Sequence, residues 1–179
     1  VAIKPFSKEA LDFLKRKEQL VYPLNSLSLQ AQKLAGRPFR YIVDAGEKFL
    51  TLPSMSSQVA FSPSPDKFFL PKSNNLTLTQ QQEMIDEYSD KLQKEFGSKE
   101  IKAVMGDAPD YSLIAFLHLD ATRAKGKAEY LFGEKYGFNY ARTKTPTSGS
   151  VVALVGRFLA DLGLRVLSWP RGDGLGGVH

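Results

Sequence analysis

Four prolines, at positions 53, 63, 65 and 71, interrupt a segment that also carries Val59, Phe61, Phe68, Phe69 and Leu70. Proline fixes φ and removes a backbone donor, so no single helix or central strand runs through residues 53–77. The expectation is a long Pro-interrupted loop. Long loops without structure of their own are uncommon in compact domains, and a solvated linker has little use for three phenylalanines. The segment therefore packs over its own domain or lies against a partner.

On either side of it the residues divide into short elements. Ser7 is placed to cap a helix over residues 8–20 with Leu11 and Leu14 on one face, and Leu27, Ala31 and Leu34 mark a second helix over 26–35 that Gly36 and Pro38 stop. These two could form an N-terminal helical extension over residues 1–36. Residues 39–43 and 48–52 read as a hairpin around Asp44-Ala45-Gly46-Glu47. The clearest helix covers 80–96, opened by Thr79 and Gln82 as a capping box and closed by Gly97, with Ile85, Tyr88 and Leu92 on one stripe. Residues 101–105 read as a short buried strand. Asp110 is placed to cap a helix over 111–123, although the run Leu113 to Leu119 fits a buried strand equally well by periodicity.

Farther on, Tyr130, Phe132, Tyr136, Phe138 and Tyr140 fall at even spacings, the period of a strand over 130–141. Apolar residues at 151, 154, 155, 158, 159 and 162 suggest a helix over 151–162. The rival is a hairpin of 151–155 with 164–167, because Val-rich runs favour strands and Gly156 costs a helix about 1 kcal/mol relative to Ala. Residues 164–169 read as a strand in either case, and the Gly-rich end 170–179 builds no element of its own. The fold class expected is α+β, one domain over 1–179, with a mixed or antiparallel sheet covered by helices.

At 179 residues, 42% of them hydrophobic and 24% charged, the chain can bury a core without staples. It contains no cysteine, which removes disulfides, thiolate nucleophiles and Cys-ligated zinc but leaves the compartment open. No stretch approaches the roughly 18 apolar residues of a transmembrane helix, and the first residues carry no signal-peptide pattern. The net charge of +5 is unevenly placed: Lys and Arg outnumber Asp and Glu by 9 to 5 in residues 1–60, are outnumbered 10 to 6 in 61–120, and lead again by 9 to 4 in 121–179.

Three groups of residues could carry chemistry. Arg123, Lys125, Lys127, Lys135, Arg142 and Lys144 surround Tyr136, Phe138 and Tyr140, and cations interleaved with aromatics suit single-stranded nucleic acid, where phosphates are neutralised and bases stack. The competing reading puts those aromatics in the core and the cations in solvent. Ser148, Gly149 and Ser150, at the start of the expected 151–162 helix, form a candidate anion site. Asp107, Asp110, His118 and Asp120 are weak candidates for a divalent ion, with His118 and Asp120 as the catalytic pair of a hydrolase or nuclease. On a helix the four do not converge.

No phosphate-binding loop, dinucleotide fingerprint or nucleophile elbow occurs, so the motifs call for no cofactor. The leading expectation is a non-enzymatic binding or assembly protein, with a protein partner or further copies of itself in a larger complex such as a nucleoprotein or virion-like assembly. Direct single-stranded nucleic-acid binding through 121–144 and metal-dependent hydrolysis are the alternatives.

Overall fold

The computed structural model describes residues 4–137 and 139–173. The chain is α+β, with one mixed four-stranded sheet, one two-stranded sheet and a central helix between them. In chain order the elements are α1 (Lys8–Arg16), β1 (Leu20–Asn25), α2 (Leu29–Leu34), β2 (Phe39–Ile42), α3 (Glu47–Thr51), β3 (Ser56–Phe61), α4 (Pro65–Phe68), α5 (Leu78–Phe96), α6 (Ala108–Arg123), β4 (Tyr140–Ser148), β5 (Val151–Leu159) and β6 (Gly163–Pro170). The large sheet has the order β2-β6-β5-β4, antiparallel except for the β2–β6 pair, and β1 pairs antiparallel with β3.

Helix α6 is apolar nearly all round, as a helix enclosed between layers must be. Ala115, Phe116 and Leu119 are buried against Ala153, Val155 and Phe158 of β5 and Leu164 and Val166 of β6. A second, smaller cluster joins Ala10, Phe13 and Leu14 of α1 to Leu92 of α5 and Ile101. Leu14, not Leu11, leads the buried face of α1, and Leu11 is 37% exposed. That helix stops at Arg16, so residue 20 already begins β1. In α2 it is Leu29 and Gln32 that are buried, while Leu34 points into solvent.

Several expected elements differ. Residues 48–52 are not the second arm of a hairpin: 47–51 form α3, and β2 instead pairs in parallel with β6, a partner more than a hundred residues away that no local pattern announces. Residues 101–105 bury Ile101 and Met105 without being a strand; Ala103 donates its N–H to Ser89 Oγ on α5, 3.1 Å away, rather than to a ladder. Residues 131–137 form turns, with Phe132 at φ 63° and a 3₁₀ turn at Glu134–Tyr136, because Leu131, Phe132 and Tyr136 are all buried and strict alternation would expose one parity. The helix expected over 151–162 is β5 and its turn into β6. That strand is buried on both faces, Ala153 and Val155 on one and Val152 and Leu154 on the other, and a doubly buried strand loses the polar alternation that would identify it.

The segment 53–77 is not an unbroken loop. Its prolines flank β3 or open α4, where Pro65 occupies the first turn. Phe61, Phe68 and Phe69 pack on the chain's own core, with Phe68 edge-on to Phe132 at 5.3 Å and to Tyr136 at 5.4 Å between centroids. Helix α5 begins two residues earlier than expected. The stretch Thr77-Leu78-Thr79-Gln80-Gln81-Gln82 contains the capping-box spacing twice, and Thr77 with Gln80 forms it because Leu78 then donates to the carbonyl of Arg171 at 3.0 Å. Gly97 closes the helix in the left-handed conformation, as expected.

The β5–β6 turn ends at Gly163, whose φ is 96° and where a Cβ would run into the carbonyl oxygen of Pro38. The same carbonyl accepts the N–H of Leu164 at 2.8 Å and so begins the parallel pairing. Gly163→Ala is expected to cost about 2–4 kcal/mol, from strain at a positive φ and lost strand contact. Gly172→Ala, which meets nothing within 4 Å, should stay within about 0.5 kcal/mol of the parent in urea unfolding.

Candidate functional site

Helix α5 is held at its two ends. Near its C-terminus Leu92 packs on α1, and near its N-terminus Leu78 bonds Arg171 while Gln81 Nε2 donates to Ser73 O at 2.7 Å. Between those anchors it touches Ala103 through the buried Ser89, and beside that contact lies a cleft of about 570 Å³. That volume lies in the range that takes small molecules and cofactors.

The cleft is built from six segments. Val59 and Phe61 of β3 form one wall with Phe68 and Phe69, and Ile85, Tyr88 and Leu92 of α5 form the opposite wall. Ile101, Val104 and Met105 of the connection between α5 and α6 close one side, and Tyr111 and Ile114 of α6 with Ala141 of β4 form the floor. Tyr88 and Val104 are among the exposed large apolar side chains of the molecule, and both belong to this lining.

A few polar groups interrupt the apolar walls. Asp110 uses its two oxygens on backbone N–H groups, Met55 and Asp107, each at 2.7 Å. Burial pushes its carboxyl above the usual Asp value, against the pull of those two bonds. The Tyr111 hydroxyl accepts the N–H of Gly106 at 3.2 Å, and burial raises its pKa as well. Gln81 is 6% exposed and its Oε1 has no partner among the described residues. Arg142 is 4% exposed; Nη1 and Nη2 donate to the carbonyls of Leu76 and Asp173 at 2.8 and 2.7 Å, and its Nε is unpartnered among the described residues.

The residues expected to bind nucleic acid are spread over different environments. Tyr136 is buried, and its hydroxyl donates to Pro63 O at 2.6 Å, so its ring offers no stacking face. Tyr140 packs with Leu154, Leu167 and Trp169, and Phe138 lies outside the described residues. Lys127 and Lys135 approach Glu129 at 3.5 Å, Arg123 and Lys125 are exposed at the end of α6, and Arg142 and Lys144 belong to the cleft. Ser148, Gly149 and Ser150 join β4 to β5, so the helix N-terminus on which an anion site was expected there is replaced by a strand-to-strand turn. The Gly-rich stretch beyond Asp173 lies outside the described residues.

The acidic set also separates. Asp107 and Asp110 cap α6, Asp120 pairs with Arg37 at 2.6 Å, and no group of three or more His, Asp or Glu side chains among the described residues is placed to hold a metal. The cleft itself was not expected. The one trace of it in the sequence is a polar residue, Gln81, on the α5 stripe that continues through Ile85 and Leu92. No family model matches the chain, and neither a curated protein nor a solved structure shows significant similarity to it. The functional reading therefore rests on the cleft's own geometry.

His118 belongs to a different network, none of whose members lines the cleft. It is 1% exposed, with Nδ1 3.2 Å from the Tyr22 hydroxyl and Nε2 3.3 Å from Glu129 Oε2. An ionised Glu129 requires the hydrogen on Nε2, which leaves Nδ1 to accept from Tyr22. Burial pulls the His118 pKa below its usual value, and Lys135 and Lys125 reinforce this; the adjacent Glu129 opposes it without reversing it. As pH falls through about 6.5 the unfolded chain takes up a proton that the folded chain does not, so this group lowers stability on acidification. The urea midpoint of the parent should therefore drop between about pH 7.5 and pH 5.5 by more than that of His118→Gln, and parallel pH profiles would show that His118 is not the group responsible.

Proposed function

We propose that the protein is a non-enzymatic binding protein that holds a small, largely apolar molecule in the cleft between α5, β3 and α6. The observation that carries this reading is a cleft of about 570 Å³ to which β3, α5, α6 and the chain between α5 and α6 all contribute apolar side chains, with polar and charged groups set among them. Binding without chemistry fits how its titratable groups are engaged: both Asp110 oxygens and the Tyr111 hydroxyl accept backbone N–H groups, which gives them a structural role at the start of α6. The aromatics of 53–77, which suggested assembly with a partner, are occupied by the chain's own core and by one wall of the cleft.

A neutral apolar fluorophore, N-phenyl-1-naphthylamine, tests the reading directly. Its emission should rise saturably on titration into the protein at one site per chain. Ala103→Trp and Ile85→Trp each place a large ring against the cleft and should weaken binding by about tenfold or more, equivalent to about 1.4 kcal/mol, with urea midpoints close to the parent's. Absence of saturable binding, or binding unaffected by both substitutions, removes the proposal.

A further inference from the structure

We infer that the occupant of the cleft is an amphiphile with an anionic head, its apolar body between β3 and α5 and its head toward Arg142 on β4. This rests on the cleft being a small-molecule site and adds the chemical class of the ligand.

The first observation is the charge of the lining. Lys4, Lys67, Lys102, Arg142 and Lys144 border the cleft against only Glu100 and Asp110. Two of the cations are already matched, Lys67 by Glu18 at 2.7 Å and Lys144 by Asp107 at 3.4 Å. Asp110 is itself committed to backbone N–H groups. Those two pairs leave Lys4, Lys102 and Arg142 against Glu100 and Asp110, a surplus of one positive charge in the lining. Field lines from cations beside low-dielectric walls are focused into such a cleft.

Arg142 supplies the second, independent observation. A guanidinium 96% removed from solvent is ordinarily matched by a carboxylate, because carbonyl dipoles compensate a buried charge only in part. Here its bonded partners are two carbonyl oxygens, Leu76 and Asp173; the Asp173 carboxylate acts on it through space, and no carboxylate among the described residues is bonded to it. Its Nε–H is left without an acceptor. Gln81 Oε1, on the facing helix, is left without a donor. The same short loop anchors both side chains, Gln81 through Ser73 O and Arg142 through Leu76 O, which sets the unmatched groups at one end of the cleft. An acidic head supplies an acceptor and a directly bonded counter-charge at that end, which a purely apolar ligand does not.

Three molecules of the same chain length and different heads separate the possibilities: decanoate, decanol and decyltrimethylammonium, each competing with N-phenyl-1-naphthylamine on the intact protein. Decanoate should displace the fluorophore at about a tenfold lower concentration than decanol, the advantage of one charge-assisted contact, and decyltrimethylammonium should be the weakest. Arg142→Met should abolish the preference for decanoate while decanol still competes, and Arg142→Lys should retain part of it. Where Arg142→Met fails to fold, Lys102→Glu on the rim gives the same comparison and should narrow the gap. Equal displacement by decanoate and decanol overturns the anionic head and leaves the cleft reading intact. Failure of the fluorophore itself to bind overturns both.

Discussion

The N-terminus of α6 is where the fold is tied together. The free polar groups at the start of a buried helix need partners; Pro109 removes one N–H from the first turn, the N–H groups of Asp110 and Tyr111 bond the carbonyl of Asp107, and distant segments tie in the rest of the turn. Asp110 reaches back to the N–H of Asp107 and across to Met55, beside β3. The N–H of Ala108 donates to Thr145 Oγ1 at 2.8 Å, and that hydroxyl donates in turn to Asp107 at 2.8 Å. Gln32 of α2 closes the set by donating to Pro109 O at 3.0 Å. The two-stranded sheet, α2 and the edge of the large sheet thus meet on one helical turn. Because that turn is deeply buried, each bond replaces one that water would otherwise make, and losing one partner leaves the other stranded at about 1–3 kcal/mol.

This junction also explains which parts of the architecture could be read from the sequence. Helices announced by caps and stops were legible, since Ser7 caps α1 and Gly97 closes α5, whereas α6 starts three residues earlier than expected, with Asp107 rather than Asp110 as its cap. Each of these signals lies within a few residues of the backbone it satisfies. What the sequence hid depends on pairing between distant segments. β2 becomes a strand because β6 passes beside it in parallel, and 101–105 does not become one because its donor at Ala103 finds Ser89 on α5. The β5 run matched helical spacing because both its faces are buried, so its pattern of apolar residues no longer reported which face met solvent.

The functional residues were illegible for a related reason. Charge and aromatic content drew attention to the stretch through Lys144, but spacing along the chain could not reveal that Tyr136 turns inward to Pro63 while Arg142 lines a cleft with residues of α5. The acids at 107 and 110 fit metal chemistry in one dimension. In three, they satisfy a helix terminus, and His118 sits farther along the helix among Tyr22 and Glu129.

The cleft is best understood by asking what a seam with no ligand would look like. Two layers that meet only to stabilise each other gain most from aliphatic side chains packed to interior density, and replacing buried ionic groups by such residues is often neutral or stabilising. The seam beneath α5 departs from that optimum in three respects: it encloses unfilled volume, it buries Arg142 without a bonded carboxylate, and it leaves Gln81 Oε1 and Arg142 Nε unmatched. Each departure costs stability, of order 1–3 kcal/mol for an unmatched polar atom. All three occur on the same walls. The same region nevertheless contains carefully satisfied groups, among them Asp110 with both oxygens bonded and Tyr111 bonded to Gly106. Unmatched atoms also occur away from the cleft, at Gln32, Thr147, Arg165 and Trp169, so what distinguishes Gln81 and Arg142 is their place in the lining of an apolar cleft, where under the proposed reading a bound ligand completes them.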